Sequence, residues 1–418
     1  MATPSDMVSA STPVASPAMP ASPRRFLADL SLPAVVAGFV AVLVGYTSSV
    51  VIVFQAAQAL GATPAQLTSW LLALGLGMGL TSSGLSLYHS RPVLTAWSTP
   101  GAALIATAAA GMGNVSMAEG IGAFMACAAL IALAGWSGLF ERVMDHLPQP
   151  IAAALLAGVL TRFALDTFAA LRTDLALVGG MLLAYLLGRR LWPRYAVPVV
   201  LLAGLLIAGS LGQLRWDAVS AQAAWPVWTT PEFSLRALIG LALPLFVVTM
   251  ASQNLPGVAA QRAAGYDTPV SSVIGLTGLV NLVLAPFGGY SFNLAAITAS
   301  ICMGREAHED PARRYTAAVM AGVFYLLMAL AGGAVVGLLA AFPKALVLAV
   351  AGLALLGTIG AGLGAALGEA RWREPALVTF LVTLSGVSLG GIGAAFWGVV
   401  AGTIAVAVQN WRARPPTP

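Results

Sequence analysis

Long apolar runs separated by short polar loops set the pattern of this chain. Runs near the roughly 20 residues that a bilayer-spanning helix needs fall at 32–54, 66–87, 117–140, 150–170, 175–191, 196–212 and 234–261. Others follow at 271–287, 314–342, 345–367, 375–391 and 394–411, the last two joined by a tight turn at Gly390-Gly391. Two more segments, 93–111 and 289–303, are apolar but broken. The pattern predicts an all-α polytopic membrane protein of about fourteen transmembrane segments, seven in each half. An odd number of crossings per half inverts one half relative to the other, giving 7+7 inverted repeats.

The two broken segments, third and tenth in order, echo one another. Ser98-Thr99-Pro100-Gly101-Ala102-Ala103-Leu104-Ile105-Ala106-Thr107 aligns with Ser291-Phe292-Asn293-Leu294-Ala295-Ala296-Ile297-Thr298-Ala299-Ser300. A second echo precedes each break: Ala56 to Pro64 resembles Ala259 to Pro269. Paired, interrupted half-helices at matching places in two halves point to a transporter's substrate site.

Composition agrees with a membrane chain. Of 418 residues, 59% are hydrophobic and 8% charged, against about 25% charged in a soluble domain. The net charge of +5 does not make a nucleic-acid binder, because the basic residues are not clustered on one face. Most of them fall in alternate loops, which places both termini in the cytoplasm. The Pro-, Ser- and Ala-rich residues 1–23 read as disordered, giving a cytoplasmic tail over 1–24. Cys127 and Cys302 lie in or beside apolar runs and read as small buried hydrophobes.

Irregular backbone survives at membrane depth only where protein buries it or a cavity wets it. Two breaks at one depth therefore imply a shared cavity, with a helix N-terminus aimed at it from each side. Helix N-termini carry partial positive charge and free N–H groups, so together they suit an anion without any arginine. Ser98 and Thr99 enter the first half-helix, and Ser291 and Asn293 enter the second. They act as N-caps, or as caps that also touch a ligand. Tyr290 and Phe292 flank the second break and either stack on an aromatic ligand or pack. Ser252-Gln253-Asn254 interrupts an apolar span and contacts substrate or water, or bonds a neighbouring helix. Tyr46-Thr47-Ser48-Ser49 holds the matching place in the first half.

Arg162 and Asp166 form a pair of ionisable residues inside a span, one turn apart and able to pair. They are candidates for ion coupling, or for fixing helix packing. His89, His146 and His308 fall in loops. The loop at 213–233 carries Trp216, Trp225 and Trp228 and is expected on the outer membrane surface, with a lid as the alternative. The sequence holds no metal-ligand set, nucleophile elbow or P-loop, so an enzyme is not expected and neither is a cofactor.

Leu32-Pro33-Ala34-Val35-Val36-Ala37-Gly38-Phe39, Gln253-Asn254-Leu255-Pro256-Gly257 and Gly288-Gly289-Tyr290-Ser291-Phe292-Asn293-Leu294-Ala295-Ala296-Ile297-Thr298-Ala299 resemble the benzoate:proton symporter family of bacteria. That family is similar in fold to uracil permease and to sulfate and bicarbonate carriers. The resemblance implies a core domain from 25–140 and 234–342, and a gate domain from 141–212 and 343–418. It also implies extended stretches before the half-helices, near 93–98 and 287–291. By it, the chain imports benzoate or a related aromatic carboxylate with protons across the bacterial inner membrane. Nucleobase symporters of this fold carry acidic residues on the eighth and tenth spans. Here Ser252-Gln253-Asn254 and Phe292-Asn293 stand there, which favours an anionic substrate. A nucleobase or inorganic-anion carrier, or a passive anion channel, are the alternatives. A homodimer is compatible with such a fold by analogy alone.

Overall fold

A computed structural model describes residues 22–112, 115–138, 148–192, 196–216, 224–305, 307–387, 389 and 394–410. The first half contains α1 (Pro23–Asp29), α2 (Leu32–Ala59), α3 (Pro64–His89), the strand β1 (Thr95–Trp97), α4 (Thr99–Gly111), α5 (Met117–Trp136), α6 (Gln149–Ala170), α7 (Leu175–Leu191) and α8 (Ala196–Ser210). The second half opens with α9 (235–263), a helix carrying two π-turns at Leu238–Ala242 and Met250–Asn254. It continues through α10 (Val270–Leu284), β2 (Phe292–Leu294), α11 (Ile297–Met303), α12 (Tyr315–Leu330), α13 (Gly332–Ala341), α14 (Lys344–Leu367), α15 (Arg373–Ser385) and α16 (Ala394–Asn410).

Among the described residues six helices are long and apolar enough to cross a membrane: Pro64–His89, Met117–Trp136, Gln149–Ala170, Leu235–Arg262, Val270–Phe287 and Lys344–Leu367. Pro23–Asp29 and Leu32–Tyr46 meet at 94° and would add a seventh as one bent span. Shorter apolar helices occupy Ser49–Ala59, Thr99–Ala109, Ala196–Ser210 and Ala394–Gln409.

Local chemistry explains the helix ends. Thr63 and Gln66 form a reciprocal capping box at the start of α3, with Pro64 in its first turn, which satisfies two otherwise orphan N–H groups. Ser116 and Glu119 do the same for α5. The second sequence echo takes one local form twice. α2 ends on Gly61 at φ +76° and α9 on Gly265 at φ +83°, a left-handed cap that glycine adopts without steric cost. The Ala62 N–H donates to the Ala57 carbonyl at 3.0 Å, and the Tyr266 N–H to Gln261 at 2.9 Å.

The helices pack in pairs both across and within the two halves. α3 lies on α12, α5 on α10, and α2 on α4 and α12. A second group joins α6 to α14 and α15, α15 to α16, and α7 to α8. Small residues allow the close contacts that membrane helices rely on. A Cβ on Gly79 of α3 would sit 2.9 Å from the Gly322 carbonyl oxygen of α12.

Several expectations need correction. The tail reading ran to residue 24, but helix α1 already begins at Pro23. The run 314–342 is not one helix, since it breaks at Ala331 between α12 and α13. His89 is not a loop residue but the buried last residue of α3. The second half-helix begins at Ile297, so 287–291 is not the extended stretch and Ser291 is not at a helix start. Residues 285–287 form a 3-10 turn and the strand follows at 292–294. Residues 1–21, Arg142, His146, Arg194, Arg412, Arg414 and the Gly390-Gly391 turn lie outside the described residues.

The described part of the Trp-rich loop forms a strap. Val227 donates its N–H to Ser69 Oγ at 2.9 Å, Thr229 to the Pro286 carbonyl at 2.8 Å and Glu232 to the Ala118 carbonyl at 2.9 Å. These bonds hold it across α3, α5 and the end of α10, with Trp225 and Trp228 exposed.

Candidate functional site

The two broken segments meet. β1 and β2 pair antiparallel, with Thr95 opposite Leu294, Ala96 opposite Asn293 and Trp97 opposite Phe292. The Ser98 N–H extends the ladder to the Ser291 carbonyl at 2.7 Å, and the Ala295 N–H to the Leu94 carbonyl at 2.9 Å. Each strand runs straight into its half-helix. Antiparallel strands therefore send α4 and α11 away in opposite directions, with both N-terminal ends at the ribbon.

A two-stranded ribbon has two open edges, and buried backbone groups need partners. Flanking helices supply them. On one side the Thr95 N–H donates to Ser82 Oγ at 3.0 Å, and Ser86 Oγ bonds Val93 through both its N–H and its carbonyl. On the other side Asn281 of α10 accepts the Phe292 N–H at 3.0 Å and donates to the Phe292 carbonyl at 2.8 Å. One amide side chain thus copies the pairing of a missing third strand.

α9 reaches the ribbon through its second π-turn. An extra residue in a turn rotates the helix face and often marks a functional site. Here the turn falls on Ser252-Gln253-Asn254. Asn254 Oδ1 accepts the Leu294 N–H at 3.2 Å, and its Nδ2 lies 3.5 Å from Asn293 Oδ1. Asn293 Nδ2 donates to Ser291 Oγ at 3.0 Å, and Ser291 Oγ lies 3.2 Å from Thr249 Oγ1. Ser252 turns back to the Val248 carbonyl of its own helix, and Gln253 is half-buried. No charged side chain belongs to this network among the described residues.

The two half-helix starts are unequal. Ser98 caps α4 by accepting the Gly101 N–H at 3.0 Å, with Thr99 half-buried beside it. α11 has seven residues and no side-chain cap, so its dipole is the weaker. Ser291 and Asn293 are fully buried ribbon residues. Tyr290 and Phe292 are also fully buried. Tyr290 packs on Trp70 and donates its hydroxyl to the Ser98 carbonyl at 3.2 Å.

The aromatic pair beside the ribbon is instead Tyr46 of α2 with Trp97, ring centroids 4.7 Å apart. The Trp97 indole N–H donates to Ser49 Oγ at 2.7 Å. The Tyr46 hydroxyl is buried and has no hydrogen-bond partner among the described residues. Ser49 belongs to the Tyr46-Thr47-Ser48-Ser49 stretch singled out in the sequence, whereas Trp97, Thr249 and Asn281 are site residues that the sequence reading does not name. Asn281, the one amide side chain in the apolar run 271–287, carries the usable signal.

Arg162 and Asp166 lie elsewhere. Both are exposed and make no ion pair with each other among the described residues. They line a cavity of about 980 Å³ between α2 and α4 on one side and α6, α14, α15 and α16 on the other. None of the ribbon or π-turn residues lines that cavity.

A family model described as benzoate membrane transport protein, BenE, matches residues 28–408. The chain belongs to the BenE family. Among curated relatives, the inner membrane protein YdcO of Escherichia coli (strain K12) is 50% identical over 90% of this chain and 96% of its own. The benzoate membrane transport protein of Acinetobacter baylyi is 41% identical over 90% of this chain and 95% of its own. BenE family membership makes the chain a membrane transport protein.

Two solved structures share the fold at low identity. SLC26A9 aligns over 93% of this chain and 68% of its own, with a TM-score of 0.63 at 14% identity. The transmembrane domain of the cyanobacterial bicarbonate transporter BicA aligns over 93% and 100%, with a TM-score of 0.61 at 13% identity. This BenE chain is therefore a mostly helical membrane protein with an SLC26-like fold.

Proposed function

We propose that the chain is a secondary active transporter that imports benzoate or a related aromatic carboxylate together with protons, by alternating access. The observation that carries this reading is the ribbon: two interrupted segments from opposite halves, paired and surrounded by buried neutral polar groups, in a chain of the BenE family. The substrate sits where α4 begins, against the π-turn of α9 and Tyr46 of α2. Ser98, Thr99, Gln253, Asn254, Ser291 and Asn293 supply or position neutral donors there. Neutral donors hold a carboxylate less tightly than an arginine fork would, which suits a carrier that must release its cargo.

In this reading fourteen segments form 7+7 inverted repeats. The core is 25–140 with 234–342 and the gate is 141–212 with 343–418, and they move against each other. Both termini face the cytoplasm of the bacterial inner membrane, following the bias of basic residues. The packing of helices into two groups supports the division. The proton travels either on the substrate carboxyl or on Asp166.

The test is uptake of labelled benzoate into proteoliposomes under an inward proton gradient, with empty liposomes as control. Saturable accumulation that collapses with a protonophore, and competition by benzoate but not by uracil or sulfate, is expected. Displacement by uracil or sulfate alone would replace the substrate class. Non-saturating flux indifferent to the gradient would make the protein a channel.

A further inference from the structure

The cavity of about 980 Å³ takes no part in the ribbon, and its lining is distinctive. Three cationic side chains, Arg162, Arg215 and Lys344, face it together with one carboxylate, Asp166. Phe54 and Phe342 contribute apolar wall. Exposed cations and aromatic surface lining one cleft match a small anion that carries a ring. The four charged side chains come from α6, from the stretch after α8 and from the start of α14, and all are exposed.

Two features relate this lining to the ribbon and fix Arg162 in it. Thr107 of α4 lines the cavity, and Ser98 caps the same helix nine residues earlier. At 1.5 Å per residue they stand roughly 13 Å apart along one axis. Beyond α15 the chain turns on Gly386 at φ +69°, where a Cβ would sit 2.5 Å from Arg162 Nη1. Glycine there serves the left-handed turn and leaves the guanidinium its place.

We infer that this cavity is a vestibule in which Arg162, Arg215 and Lys344 collect an anionic aromatic carboxylate before it moves to the ribbon. The substrate class rests on the function proposed above. A wet cleft with low-dielectric walls and an excess of one charge focuses the field and raises the local concentration of counter-charge.

The test uses Ala59→Cys, at a cavity-lining position ending α2. The native Cys127 and Cys302 are buried. The rates of modification by an anionic and a cationic methanethiosulfonate reagent are compared, each corrected for its reactivity with a free thiol. At low salt the anionic reagent should be favoured on the order of tenfold, and at about 1 M salt the preference should vanish. Arg162→Gln and Lys344→Gln should each cut the preference roughly threefold, whereas Asp166→Asn should raise it. A structural disturbance would not reverse sign with the charge removed. In uptake at low salt, Arg162→Gln should raise the KM for benzoate with a smaller change in kcat, and Arg162→Lys should restore it. A preference near unity, or one indifferent to all three substitutions, overturns the vestibule. If labelling behaves as expected while benzoate is not transported, the substrate assignment fails and the anion-collecting cavity stands.

Discussion

The amide of Ser98 and the carbonyl of Ser291, 2.7 Å apart, join two segments nearly two hundred residues distant in sequence. That bond continues a ladder of only three residue pairs. So short a ribbon is not stable alone. It persists because α3, α9 and α10 satisfy its edges with Ser82, Asn254 and Asn281.

Asn281→Leu should therefore unfold the ribbon from its α10 edge. It strands both the N–H and the carbonyl of Phe292 in a fully buried place, at about 1–3 kcal/mol for each unsatisfied group. Thermal unfolding in detergent should show a clear drop in Tm. An unchanged Tm would mean that water or another side chain replaces the amide.

Asn254→Ala and Asn293→Ala should each lower kcat/KM for benzoate by about ten- to a hundredfold, the equivalent of one lost buried hydrogen bond. The two side chains sit in one network, so the double variant should lose less than the product of the single losses. Multiplicative effects in uptake assays would show that the residues act independently.

Tyr46→Phe separates stability from binding. The hydroxyl is buried and unpartnered among the described residues, so removing it should leave the unliganded Tm unchanged or raised. On the proposed reading the same hydroxyl meets the substrate. The Tm rise produced by saturating benzoate should then shrink in the variant. An equal rise in both proteins would remove Tyr46 from the site.

Asp166→Asn tests proton coupling. If this carboxylate carries the proton, the variant should still bind benzoate but accumulate it with little dependence on external pH. A pH profile identical to the parent would leave the substrate carboxyl as the carrier.

Much of this was legible in the sequence. Bilayer depth forces backbone groups to pair within a helix, so each apolar run of sufficient length had to be helical. Thr63-Pro64 and Gly265 marked a helix start and a helix end through capping chemistry that acts within one turn. The breaks at 98 and 291 were visible for the same local reason, since Gly, Pro and Ser interrupt apolar runs there.

Register and assembly were not legible. Matching letters set Ser98 beside Ser291, whereas the strand starts, Thr95 and Phe292, set Ser98 in correspondence with Ala295. A three-residue strand has no propensity signal of its own; it exists only through its partner across the ribbon. Likewise Arg162 and Asp166 are one turn apart and were free to pair, yet a wide cleft between two helix groups leaves both facing solvent. Sequence spacing decides which groups are able to meet along one helix, while only the packing of distant helices decides what stands opposite them.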